Sequence, residues 1–104
     1  MAQYVMVYLG GNPPATPEQG KQHFAQYMDW IGSLGAAAVS PMNPLKETTL
    51  LKPDGSTSNG SSIGMSGYTI VEAESMGAAL KMAKTCPFLS INGSLEVSEL
   101  VKMG

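Results

Sequence analysis

The sequence predicts one α+β domain with the element order β-α-β-β-α-β, and three observations carry that prediction. A chain of 104 residues has room for a single hydrophobic core, so residues 1–104 are read as one domain. Short β-branched and aromatic runs at Tyr4–Leu9, Tyr68–Ala73 and Ser94–Val101 have the length and composition of strands. Capping residues at Thr16 and Ser75 each open a stretch whose apolar residues recur at helical spacing. Apolar residues make up 43% and charged residues only 13%, which removes the low-hydrophobicity, high-charge signature of disorder.

The first strand, Tyr4-Val5-Met6-Val7-Tyr8-Leu9, closes on Gly10-Gly11-Asn12-Pro13-Pro14. Both its faces are apolar, Tyr4, Met6 and Tyr8 on one and Val5, Val7 and Leu9 on the other, as in a strand covered on two sides. Thr16-Pro17-Glu18-Gln19 reads as a helix start: Thr16 is the N-cap, Pro17 fills N1 where its missing N–H costs nothing, and Gln19 completes a capping box. Phe24, Tyr27, Met28, Ile31 and Leu34 then form one expected apolar stripe, ended by Gly35 in a left-handed conformation.

The middle of the chain is less regular. Ala36–Val39 and Leu45–Leu51, separated by Pro41 and Pro44, predict a short, irregular second strand. The polar, turn-rich segment from Pro53 to Gly64 is expected as a loop or hairpin tip. The third strand runs into Ser75 and a second helix, whose expected apolar face is Met76, Ala79, Leu80 and Ala83, stopped by Cys86-Pro87. An Asn92-Gly93 turn leads to the final strand. This order is the split βαβ plan of ferredoxin-like folds, with an antiparallel sheet and both helices on one face. Because the first strand is apolar on both sides, the other face of the sheet is expected to meet a second subunit, giving a homodimer with facing sheets.

All six positive charges are Lys, the formal net charge is −2 and the pI is near 5.2. With no Arg and no basic excess, nucleic-acid recognition is not expected. No apolar run approaches the roughly 18 residues of a membrane span, so no membrane partner is expected. A single Cys and an N-terminus without a signal-peptide pattern lead to the expectation of a reduced, cytoplasmic protein.

His23 is the only histidine, and histidine is the side chain suited to acid/base work near neutral pH. On the first helix it stands one turn before Tyr27 and two before Trp30, a neighbourhood of amphipathic aromatics at the helix–sheet boundary. The competing reading is a helix-border histidine that is solvated or hydrogen-bonded and does no chemistry. Cys86 follows a helix C-terminus, where the dipole disfavours a thiolate, and reads as a structural thiol. With no second Cys or His, no metal site is expected. Gly10-Gly11-Asn12 lacks the third Gly and the Lys-Ser/Thr of phosphate loops, so no nucleotide cofactor is expected either.

The ordered set of local motifs resembles the YCII-related domain family of the dimeric α+β barrel superfamily. The motifs are the opening strand into Gly-Gly, the Thr-Pro-Glu-Gln helix start, Trp30-Ile-Gly-Ser-Leu-Gly35, Asn43-Pro44-Leu45, Gly67-Tyr-Thr-Ile-Val-Glu-Ala73, and Cys86-Pro87 ahead of Gly93-Ser-Leu-Glu-Val97. The resemblance implies a ferredoxin-like subunit, a dimeric α+β barrel, and a helix–sheet cleft in each subunit. It also implies a catalytic role for His23, which stands where family members carry a helix-one histidine. The sequence departs from that family at Cys86, where an Asp often precedes the Pro, and at Phe88, where near relatives often have His. Asp29 does not substitute for the missing Asp, since a six-residue offset turns it about 240° around the helix from His23.

The expected function is binding of a small organic molecule in a cleft lined by Tyr8, Tyr27 and Trp30, with His23 performing acid/base chemistry on it. The alternative is a non-catalytic ligand sensor or protein-interaction module in which His23 is structural.

Overall fold

The alternation of the first strand decides which layer the rest of the chain occupies. The computed structural model describes residues 1–103, and in it the strand β1 spans Ala2–Gly10, with Tyr4, Met6 and Tyr8 buried and their neighbours only partly so. It is followed by the helix α1 (Pro17–Leu34), the strand β2 (Ala38–Pro44), a hairpin of β3 (Thr49–Leu51) and β4 (Thr57–Asn59), β5 (Met65–Ala73), the helix α2 (Met76–Lys84) and β6 (Gly93–Glu99). The fold is α+β. The four-stranded sheet has the order β2-β5-β1-β6 with every neighbouring pair antiparallel, and β3-β4 is a separate two-stranded sheet.

The core is one layer of helix on one face of this sheet. Tyr4, Met6, Tyr8, Val71 and Ala73 meet Trp30 of α1 and Ala79 and Ala83 of α2, and Met6 and Val71 are completely buried. The pleat sends Val5, Val7, Tyr68 and Ile70 to the opposite face, with Val5 opposite Ile70 and Val7 opposite Tyr68. Among the described residues, no helix of the chain covers that face. The chain measures 46 × 41 × 18 Å, the thickness of one sheet and one helix layer. Its radius of gyration of 15.0 Å exceeds the roughly 13 Å of a compact chain of this length. The largely exposed β3–β4 hairpin, closed by a turn in which the Lys52 N–H donates to the Ser56 carbonyl at 2.8 Å, accounts for part of the excess.

Both helices carry their expected N-caps, Thr16 and Ser75, but the reciprocal bond of the expected capping box is shifted by one residue, Gln19 accepting from Ala15 and not from Thr16. Thr16 accepts from the Gln19 N–H at 3.1 Å while the Gln19 side chain accepts from the Ala15 N–H at 2.9 Å, and Ser75 accepts from the Ala78 N–H at 3.2 Å. At the end of α1, Gly35 has φ 56° but ψ −131°, outside the left-handed helical region that the sequence suggests.

Three expectations are corrected. On α1 only Trp30 is buried; Tyr27, Ile31 and Leu34 of the expected stripe pack half-buried against the core, as the sequence predicts, whereas Phe24 and Met28 of that stripe are 54% and 44% exposed and His23 lies half-buried beside Tyr27. The row Phe24–Met28–Ile31 and the row His23–Tyr27–Trp30–Leu34 beside it both satisfy a spacing of three and four. Partners decide between them, because Tyr27 and Trp30 donate hydrogen bonds from the second row. On α2, Ala79 and Ala83 are buried, but Met76 and Leu80 are exposed, and Ala78 and Met82 pack in their place. Finally, β2 runs through Pro41 and Pro44 without a break, whereas the Leu45–Leu51 segment contributes only β3, outside the main sheet. An edge strand tolerates proline because one of its sides has no ladder to complete. Two register shifts between Ala38 and Asn43 bend it further, and the Asn43 carboxamide ties the bend by donating to the Ser40 and Tyr68 carbonyls at 3.1 and 3.2 Å.

Candidate functional site

The bend in β2 has a chemical consequence: it frees the Pro41 carbonyl from the ladder and turns it toward α1. There it accepts from the Tyr27 hydroxyl at 2.9 Å and from the Thr69 hydroxyl at 2.7 Å. Tyr27 and Thr69 are themselves 2.9 Å apart, and the Tyr8 hydroxyl makes short contacts with both. Three hydroxyls and one carbonyl thus form a closed cluster with five oxygen–oxygen contacts. Only three hydroxyl protons are present, one per group, so two of the five contacts carry no proton at any instant. The cluster has lone pairs to spare. Burial pushes the Tyr8 and Tyr27 phenols above their ordinary values, which keeps both protonated and able to donate at neutral pH.

This cluster borders a cleft of about 300 Å³ between α1 and the sheet. Its walls include Phe24 and His23 from α1, Met42 and Pro44 from β2, and Phe88 from the turn after α2. Phe88 stacks on Tyr8 with ring centres 5.0 Å apart and planes 24° from parallel, and Tyr27 meets Tyr8 edge-on at 6.0 Å. Gly93 leaves room for Phe88 in this position, because a Cβ there would overlap the ring and lie 2.8 Å from the Phe88 carbonyl oxygen. His23 sits on the wall half-buried, with its Nδ1 fully buried and without a hydrogen-bond partner. An unpaired buried nitrogen of this kind costs free energy unless a ligand or solvent satisfies it.

Tyr8, His23 and Tyr27 are therefore brought together on one cleft. Trp30 is not. It lies one turn beyond Tyr27, 3% exposed, with its indole N–H shared between the Met82 carbonyl at 3.0 Å and the Thr85 hydroxyl at 3.1 Å. It supports the site by locking α1 to α2 and by packing on Tyr27 at 5.5 Å, without reaching the cleft.

Sequence reasoning missed Thr69, the Pro41 carbonyl, Phe24, Met42 and Phe88 as parts of the site. For Thr69 a signal existed, since strand alternation places it between Gly67 and Val71 on the helix side, a polar residue on an inward face. For Pro41 none existed, because its role depends on the bulge. Asp29 is exposed on α1 and absent from the cleft walls. A larger space of about 830 Å³ lies beside the chain termini, among Gln3, Glu72, Glu99 and Lys102, remote from His23. Among the described residues, no three His, Cys, Asp or Glu side chains gather as a metal site, and no helix is long and apolar enough to cross a membrane.

Cys86 is buried, and burial pushes its thiol above the ordinary 9.0, so it is no ready nucleophile. Tyr8 is pushed above the ordinary 10.0 for the same reason. In both cases the folded chain keeps a proton that the unfolded chain releases once pH passes the ordinary value. The contribution of these two groups to stability is therefore level below about pH 8.5 and falls as pH rises through 9 and 10, by up to about 1.4 kcal/mol per pH unit for each group. Urea denaturation between about pH 8 and about pH 10.5 checks this, with Cys86→Ala flattening the first part of the decline. A midpoint unchanged over that range would contradict the burial of both groups.

Scanned against protein-family models and searched against curated proteins, the chain matches none.

Proposed function

We propose that this protein binds a small organic molecule in the α1–sheet cleft and that His23 performs acid/base chemistry on it. The observation that carries this reading is the unpartnered, buried Nδ1 of His23 on the wall of a cleft bordered by the Tyr8–Tyr27–Thr69 cluster. In the reaction we envisage, His23 removes or returns a proton at a reacting atom within about 3 Å. The Tyr27 phenol, held protonated by burial, donates to the oxygen on which negative charge develops. The Tyr27 hydrogen bond to Pro41 is exchanged for one to the substrate during that step.

As part of the same proposal, the subunit is ferredoxin-like and belongs to the YCII-related family of dimeric α+β barrels. The order β2-β5-β1-β6 supports this, because it places the first and third main-sheet strands in the centre, as the split βαβ plan requires. A homodimer with facing sheets is supported by Val5, Val7, Tyr68 and Ile70 on the uncovered face. A reduced, cytoplasmic location is supported by the single, unpaired Cys86.

Screening small organic compounds by thermal shift identifies the ligand, since a compound at 100 times its Kd adds about 2.7 kcal/mol of apparent stability. For a compound that is turned over, His23→Gln is expected to lower kcat/KM by about 10²- to 10⁴-fold while leaving the melting temperature of the free protein within a few degrees. Full turnover by that variant eliminates the catalytic role. A second reading, binding without turnover, is favoured by one observation: among the described residues no carboxylate lines the cleft to pair with His23. In that case His23→Gln alters affinity and no chemistry is found for the wild-type protein.

A further inference from the structure

The His23 imidazole is a wall common to two cavities. Besides the cleft, a second space of about 240 Å³ is lined by Asn12, Gln19 and Ser90, and it shares only Pro14 and His23 with the first. The two differ in character. The cleft has apolar walls, and the polar atoms of Tyr8 and Tyr27 at its border are already bonded to one another, to Thr69 and to Pro41. In the second cavity the Ser90 hydroxyl is committed to the Pro87 carbonyl and Gln19 Oε1 to the Ala15 N–H. The Asn12 carboxamide and the Gln19 NH₂ make no hydrogen bond within the described residues and are free to meet a ligand.

Charge separates this site from the rest of the molecule. The chain has six Lys and eight Asp or Glu, yet among the described residues none lines either cavity. The charged side chains Glu72, Glu99 and Lys102 line the space beside the termini instead. A cationic ligand group would be desolvated here with no carboxylate partner, and an anionic one with no Lys and only the His23 imidazole to face it, which is more costly than placing a neutral group.

We infer that the ligand is an uncharged, two-part molecule: a flat apolar ring in the cleft against Phe88, and a short amide-bearing tail passing His23 into the Asn12–Gln19–Ser90 cavity. This inference rests on the proposed role of the cleft and narrows it. The ring matches the stacked Phe88–Tyr8 pair and the apolar walls, and an amide both donates and accepts, as Asn12 and Gln19 do. Taken together, the two volumes fall within the range of about 300–1,000 Å³ usual for small-molecule sites.

The test uses the full chain, labelled with ¹⁵N, and four probes built on one benzyl group: N-benzylacetamide, toluene, benzylammonium and phenylacetate. N-benzylacetamide is expected to shift the backbone signals of Phe24 and Phe88 together with the side-chain NH₂ signals of Asn12 and Gln19. It is expected to bind at least about tenfold more tightly than each of the other three. Asn12→Ala is expected to weaken N-benzylacetamide about fivefold and to leave toluene unchanged. Equal binding of the charged probes, or an Asn12→Ala protein with unchanged preference for the amide, overturns the inference while the cleft remains a binding site. If no probe shifts Phe24 or Phe88, the inference and the proposed role of the cleft fall together.

Discussion

Trp30→Ala is expected to destabilise the protein by about 3–5 kcal/mol, the range for removing a buried large aromatic side chain. The indole is 3% exposed, its N–H is shared by Met82 and Thr85 at the end of α2, and its ring packs on Tyr27. Truncation thus opens a cavity, leaves the Met82 carbonyl with one donor fewer, and releases Tyr27 from one side. For a chain of this size such a loss lowers the melting temperature by more than about 10 °C. Trp30→Phe keeps most of the apolar contact and removes only the donor, so a loss of about 1–2 kcal/mol is expected. Urea denaturation of the two variants separates packing from hydrogen bonding. Equal effects would mean that the indole N–H does the anchoring and the ring little.

Ile70→Glu is expected to convert the proposed facing-sheet homodimer into monomers. Ile70 lies on β5, a central strand, opposite Val5 of β1, and the alternation of β5 directs it away from the helices. The substitution therefore leaves Met6, Val71 and the rest of the helix-side core intact. Two such carboxylates enter each proposed interface, and an unpaired charge buried there costs about 3–5 kcal/mol. Association weakens at least about a thousandfold. Light scattering at micromolar concentration is expected to give twice the 10.9 kDa chain mass for the wild-type protein and a single-chain mass for the variant, with an unchanged far-UV spectrum. A wild-type protein of single-chain mass would refute the facing-sheet arrangement outright.

The parts of the fold governed by local chemistry were legible in the sequence. Thr16 and Ser75 cap the helices that they were expected to cap, and the alternation of Tyr4–Leu9 places Tyr4, Met6 and Tyr8 inward. What the sequence left ambiguous was settled by long-range partners. The choice between the Phe24–Met28 row and the His23–Tyr27–Trp30 row depends on Pro41 and Met82, 14 and 52 residues from the side chains that bond them. The proline-bearing edge strand was unreadable for a related reason: local rules argue against a strand at Pro41, and only its position beside β5 makes one acceptable. The same bulge supplies the Pro41 carbonyl, so the hydroxyl cluster was hidden even though Tyr8 and Tyr27 were visible. His23 was found because it is the sole histidine, whereas Phe88 enters the cleft only through the turn after α2 and its contact with Gly93.

The most direct test of the cleft as a small-molecule site is a crystal structure of the protein soaked with a mixture of uncharged aromatic fragments. The account predicts density between α1 and the sheet, in contact with Phe88 and within hydrogen-bonding distance of His23 or Tyr27. A cleft closed by Phe24 and Met42, with fragments only on the uncovered sheet face or beside the termini, would contradict it.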